Sequence, residues 1–154
     1  MLRSKGRYPW RIGATSFVIP AAIEDNVRYL AGMVDDIQLL FFESPSQCPM
    51  PQKLDINLLQ GLAEDHDISY TVHLPTDIQP GSGNAAIRQQ AVDEIVCLVE
   101  ELAPLNPCCH DLHLGWPPGL ARQQWLTHIN DFLGRLKKDL GGTGAVVDKQ
   151  NMDY

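Results

Sequence analysis

Four points along the chain carry residue types that do chemistry: Glu43 in FFESP, His73 in TVHLP, His113 in DLHLG, and Gln150-Asn151 in KQNMDY. They present a carboxylate, an imidazole, a second imidazole and an amide. Imidazole is the commonest metal ligand in proteins. Two imidazoles with a carboxylate suit a divalent ion such as Zn²⁺, Mn²⁺ or Fe²⁺, and the residue types alone do not choose among these. Such an ion can polarise a phosphoryl oxygen or activate a water for hydrolysis. It can equally polarise a sugar carbonyl while Glu43 moves a proton. The residue types therefore fit two reaction classes.

Neighbouring side chains add weaker signals. Trp116 follows His113 closely and could stack on a planar ring of a ligand, although an aromatic under a loop is more commonly packing. Asp77 could orient an imidazole or bind a substrate hydroxyl. Gly115, two residues after His113, permits close approach of a ligand. His110 reads as structural or exposed, and His66 and His128 as surface residues. The four cysteines are Cys48, Cys97, Cys108 and Cys109. The adjacent pair cannot easily bond to each other and no C-x-x-C occurs, so all four read as reduced thiols in a cytoplasmic protein.

The elements that must position these groups alternate short apolar runs with longer amphipathic ones. Residues 11–17 (RIGATSF) predict a first strand, and Pro20 opens a helix reaching Met33. Residues 37–43 (IQLLFFE) predict a second strand, apolar on both faces, as in a buried parallel sheet. A helix over 54–65 and a third strand over 69–74 (SYTVHL) follow. The polar loop 75–84 leads into a long helix over 85–102. Residues 109–115 predict a fourth strand, 125–140 a fourth helix stopped by Gly141-Gly142, and Ala145 onward a fifth strand. Glu43, His73 and His113 then fall at the ends of strands two, three and four.

Strict strand–helix alternation implies parallel strands joined by crossover helices. A doubly wound sheet and a (β/α) barrel both satisfy it. No G-x-G-x-x-G follows the first strand and no P-loop occurs, which disfavours a dinucleotide fold. The expectation is an α/β chain: an incomplete TIM barrel of about five βα units, because a whole barrel takes about 250 residues and this chain has 154. In both architectures ligands sit beyond the carboxyl ends of the strands, where the polar residues fall.

The net charge of −7 argues against a nucleic-acid partner. No apolar run reaches the roughly 20 residues of a membrane span, and no apolar segment follows the basic N-terminus as in a secretory signal. A small-molecule substrate remains. An unclosed barrel would leave its first and last strands as edges, so self-association is expected.

The segments RIGATSFVIPA (11–21), VDDIQLLFFE (34–43), YTVHLP (70–75), DLHLGW (111–116) and KQNMDY (149–154) resemble the xylose-isomerase-like TIM-barrel superfamily, also called the AP endonuclease 2 family. Within it they are most similar to cobamide-remodelling phosphodiesterases. The resemblance implies that His73 and His113 ligate a metal, that Glu43 is an acid beside them, and that Gln150 occupies a ligand position where the family carries Glu. A neutral amide binds a divalent ion less well than a carboxylate. The resemblance also implies hydrolysis of the phosphodiester in the nucleotide loop of a cobamide, with Asp77, Trp116 and Asn151 near the substrate. A sugar-phosphate isomerase or epimerase, the commonest chemistry of the superfamily, is the alternative. A third reading is an inactive, truncated N-terminal part of a single barrel domain, residues 1–154.

Overall fold

The computed structural model describes residues 4–42 and 54–150, with Gln150 by its backbone alone. Five strands form one parallel sheet in the order β1-β2-β3-β4-β5: Gly13–Thr15, Asp36–Leu40, Ser69–His73, His110–His113 and Val147–Gln150. Between them run α1 (Ile23–Leu30), α2 (Ile56–His66), α3 (Ala85–Leu102) and α4 (Arg122–Leu140), with a 3₁₀ turn at Ala103–Leu105. The chain is an α/β fold of five consecutive parallel strands with crossover helices, as its alternation predicts.

Successive residues of a strand point to opposite faces, and here the two faces differ in chemistry. Ile37, Leu39, Tyr70, Val72 and Leu112 point outward and are at most 1% exposed. They pack with Val27, Leu30, Leu59, Ile95, Leu98 and Phe132 of the helices in one apolar core. The inward set is polar. Register places Leu40, His73, Asp111 and Asp148 in one row, and Gln38 beside Thr71 in the row below. Asp36 accepts from the Ser69 hydroxyl at 2.5 Å and the Thr71 hydroxyl at 3.0 Å. The second strand is therefore not apolar on both faces as its sequence suggests. It stops at Leu40, and Asp36 and Gln38 face inward.

Local chemistry explains where the helices start. The first helix begins at Ile23 rather than Pro20, because Asn26 holds the preceding loop. Its Oδ1 accepts from the Val18 and Ile19 amides at 2.9 and 3.0 Å. Its Nδ2 donates to the carbonyls of Ile19, Ala21 and Ala22 at 3.1–3.2 Å. Asp55 caps α2 by accepting from the Leu58 amide at 3.0 Å, and Asn84 caps α3 through the Ala86 amide at 2.9 Å, as short polar side chains do at helix starts.

At the opposite end of the sheet, Asp35 accepts from the Gly6 and Ile12 amides at 2.9 and 3.0 Å. These two bonds, above all that from Ile12, hold its carboxyl below the ordinary range.

Asn26 is fully buried, so truncating it would strand several donors and acceptors. We expect Asn26→Ala to lower unfolding free energy by about 2–4 kcal/mol, read from urea denaturation. A loss within the error of the wild-type curve would show that the loop needs no such anchor.

Candidate metal site at the carboxyl ends of the strands

The outward packing of Tyr70 and Val72 turns Ser69, Thr71 and His73 inward. The same alternation in β4 turns Asp111 and His113 inward and His110 outward. His73 and His113 close β3 and β4, and their rings converge. The Nε2 atoms stand 2.7 Å apart, with ring centroids at 4.6 Å.

The hydrogen bonds fix the protons. His73 Nδ1 lies 2.9 Å from the Leu74 carbonyl. A carbonyl only accepts, so Nδ1 carries the hydrogen and Nε2 carries a lone pair. His113 Nε2 then donates to it when no ion intervenes, and His113 Nδ1 is buried without a partner among the described residues. The His113 pKa is lowered, first by burial and then by His73, with Asp111 opposing. A neutral imidazole is the form that binds a metal.

Two nitrogens bound to one ion at about 2.0–2.1 Å, at a right angle, stand about 3 Å apart. The two Nε2 atoms need to part by only a few tenths of an ångström to reach that separation, so the pair fits two cis positions on a divalent ion. Among the described residues no group of three or more His, Cys, Asp or Glu side chains completes a metal cluster.

The other expected site residues distribute as follows. Glu43 and Asn151 lie outside the described residues. Gln150 is the register partner of His113 in β5, which puts its backbone beside the imidazole pair. Asp77 is exposed on the loop after β3. Trp116 is half-exposed, stacks on Trp125 at 5.5 Å, and donates from Nε1 to the Leu120 carbonyl at 2.8 Å.

Sequence reasoning missed the fixation of the 75–84 loop. The Trp125 ring is so close to Gly81 that a Cβ there would meet it at 2.8 Å. His128, expected as a surface residue, is bonded through Nδ1 to the Gly81 carbonyl at 3.1 Å. Arg88, buried, donates to the Ser82 carbonyl at 2.7 Å and pairs with Asp131 at 2.7 Å. A helical register of α3 and α4 that aims all three at one loop is the only signal the sequence carried.

The thiols divide. Cys108 and Cys109 are free, and burial, with Asp111 next, raises the Cys109 pKa, which makes it a poor nucleophile. Cys97 is disulfide-bonded, so the reading of all four cysteines as reduced is corrected there. His110 is structural: it is 2% exposed against the helical layer, and its Nδ1 lies 3.1 Å from the Val146 carbonyl. A groove of about 450 Å³ between α4 and β5, lined by Leu133, Leu136, Leu140 and Val147 among others, opens on the outer layer away from the imidazoles.

These features define an α/β fold of five parallel strands with an imidazole pair at the carboxyl ends of β3 and β4. Solved structures share the fold. A D-tagatose 3-epimerase-like protein is similar at a TM-score of 0.72 and 18% identity, over 94% of this chain and 54% of that one. A 3-keto-D-glucoside 4-epimerase from E. coli gives 0.64 and 16%, over 89% and 54%. An AP endonuclease of family 2 from Brucella melitensis gives 0.63 and 15%, over 91% and 55%. No family model and no curated protein sequence matches the chain. The chain thus shares the α/β fold of these structures and spans about half their length. No helix among the described residues is long and apolar enough to cross a membrane.

Burial lowers the pKa of both His110 and His113 below 6.5. The unfolded chain therefore binds protons first as pH falls. Stability present above pH 6.5 is lost as pH drops from 6.5 toward the lowered folded values. Asp35 and Asp131, whose pKa values are lowered from 3.8, contribute only to a separate loss at more acid pH. The urea midpoint should fall between about pH 7.5 and about pH 5.5, and His110→Leu should make that fall shallower. A flat wild-type profile would mean that neither imidazole is held neutral by the fold.

Proposed function

We propose that this chain forms the strand β1–β5 part of a divalent-metal-dependent barrel enzyme whose substrate is a small sugar or sugar phosphate, and that the reaction is isomerisation or epimerisation. The observation that carries the metal site is the 2.7 Å approach of the His73 and His113 Nε2 atoms at the strand ends. The fold likeness to several sugar epimerases supports the choice of substrate class.

His73 and His113 would hold the ion, with Gln150 as a weaker third donor. When bound, the ion supplies electrophilic polarisation of a substrate oxygen. The residues of this chain do the rest. The His73–Leu74 bond fixes one ring with its Nε2 lone pair toward the site. Trp116 offers an exposed face on which the apolar side of a sugar ring can lie. Asp77 stands on the bordering loop to accept from a hydroxyl, and Glu43 is the acid–base group.

The second reading is hydrolysis of the nucleotide-loop phosphodiester of a cobamide. The imidazole pair favours it, because neutral ligands leave the full charge of the ion to act on a phosphate oxygen. The residue resemblance in DLHLGW supports it as well.

The test begins with binding. Isothermal titration of the chain with Mn²⁺, Zn²⁺ or Co²⁺ should show one site, and His73→Ala and His113→Ala should each weaken it by about 100-fold or more, because a direct ligand costs more than the 10–100-fold of its supports. Unchanged affinity in both variants would remove the imidazoles from the site and sink the proposal. Incubation with ketoses, their phosphates and a cobamide then separates the two reactions. An epimerised sugar supports the first reading, and release of the lower-ligand riboside establishes the second.

A further inference from the structure

Asp111 is an ionisable side chain only 9% exposed whose side-chain hydrogen bond among the described residues is from a neutral amide. The Gln38 Nε2 donates to its Oδ2 at 2.6 Å. The ion pairs among the described residues are Arg28–Asp25, Arg88–Asp131 and Arg135–Asp131, and none reaches it. A buried carboxylate without a cation is costly unless something compensates its charge.

Its place in the sheet says what could compensate it. Asp111 is the register partner of His73 and lies two residues before His113 on the same inward face of β4. Gln38 sits beside Thr71 on the other side of β3. The Gln38–Asp111 bond therefore crosses β3 on the inner face and forms a floor under the two imidazoles. Among the described residues Asp111 belongs to no cluster of three able to grip one ion, and its place in the row below His113 sets it at one remove from the imidazoles.

We propose that Asp111, locked by Gln38, is a positioning residue: a fixed negative charge beneath the imidazole pair that raises its affinity for a divalent cation. Two neutral imidazoles alone leave a dication uncompensated in a half-buried site. One carboxylate held in the next row of the sheet lowers that cost without taking a coordination position. The Gln38 amide keeps the carboxylate from rotating into the ion's own shell. This inference rests on the His73–His113 site proposed above.

Co²⁺ titration of the full chain, followed by calorimetry and by visible absorption, tests it. Asp111→Asn keeps the shape and removes the charge. It should weaken Co²⁺ binding by about 10–100-fold, the range of supporting interactions around a metal, with the metal-free urea midpoint unchanged or raised. Gln38→Met keeps the charge and frees it. It should weaken binding by less than Asp111→Asn and alter the Co²⁺ absorption bands. Wild-type affinity in Asp111→Asn overturns the inference and leaves the imidazole site standing. A loss of affinity matched by an equal loss of metal-free stability also overturns it, since the role is then structural. If Asp111→Asn fails to fold, wild-type affinity and bands in Gln38→Met overturn it. If the wild-type chain binds no Co²⁺, both readings fall together.

Discussion

The two-residue period of β3 is the constraint on which the site depends. Tyr70 and Val72 are buried to within 1% of completely against the helices, and the Tyr70 hydroxyl donates to the Leu59 carbonyl of α2 at 2.8 Å. Burial also pushes the Tyr70 pKa up to about 12, so the hydroxyl stays neutral where it is. A slip of one residue would expose both side chains and bury Thr71 and His73 in the apolar layer. Fully burying a large apolar side chain stabilises by about 1.5–3 kcal/mol, so two such terms fix the register. His73 is then forced inward at the last position of the strand. The same logic in β4, through Leu112, forces His113 inward beside it.

The loops at that rim are fixed from below by side chains with unusual numbers of bonds. Asn26 ties the β1–α1 loop to α1, while Arg88, Trp125 and His128 tie the β3–α3 loop to α3 and α4. A rim built this way loses little entropy when a ligand arrives, because its backbone is already ordered. Aromatic rings remain exposed above it. Phe17 and Phe42, after β1 and β2, meet edge to face at 5.0 Å, and Trp116 lies flat on Trp125. Both pairs leave apolar surface beside a polar centre, the combination common in small-molecule sites.

Much of this was legible in the chain, and the failures have physical reasons. The helix over Ala85–Leu102 follows from its apolar stripe, and the structure agrees. The placement of His73 at a strand end follows from the run SYTVHL, and that of His113 from the position of a polar fourth strand between two helices. The second strand misled because LLFF is apolar in sequence, while the sheet uses only DIQLL, whose inward positions include the polar Asp36 and Gln38. His110 sits three residues from His113 and so points to the other face; residue type alone does not reveal that. The Gln38–Asp111 contact joins residues far apart in sequence on strands that are not neighbours, and no local pattern announces such a pair. Glu43 and Asn151 lie outside the described residues, so their part in the site rests on sequence alone.

The inward face argues for a chamber rather than a packed interior. In the common barrel the inside is filled by layers of bulky branched side chains. Here the inward rows hold Gly13 and Thr15, then Asp36 and Gln38, then Ser69, Thr71 and His73, then Asp111 and Asp148, with Leu40 the one large apolar member. Three of these are carboxylates with no arginine or lysine paired to them among the described residues. Closing further strands over such a face would bury charge unless water or a cation stayed inside. The polarity that makes the inner face a poor core therefore makes it a suitable lining for a hydrated cation site. The imidazole pair stands where that lining meets the carboxyl ends of β3 and β4, so an ion held there would have carboxylates below it.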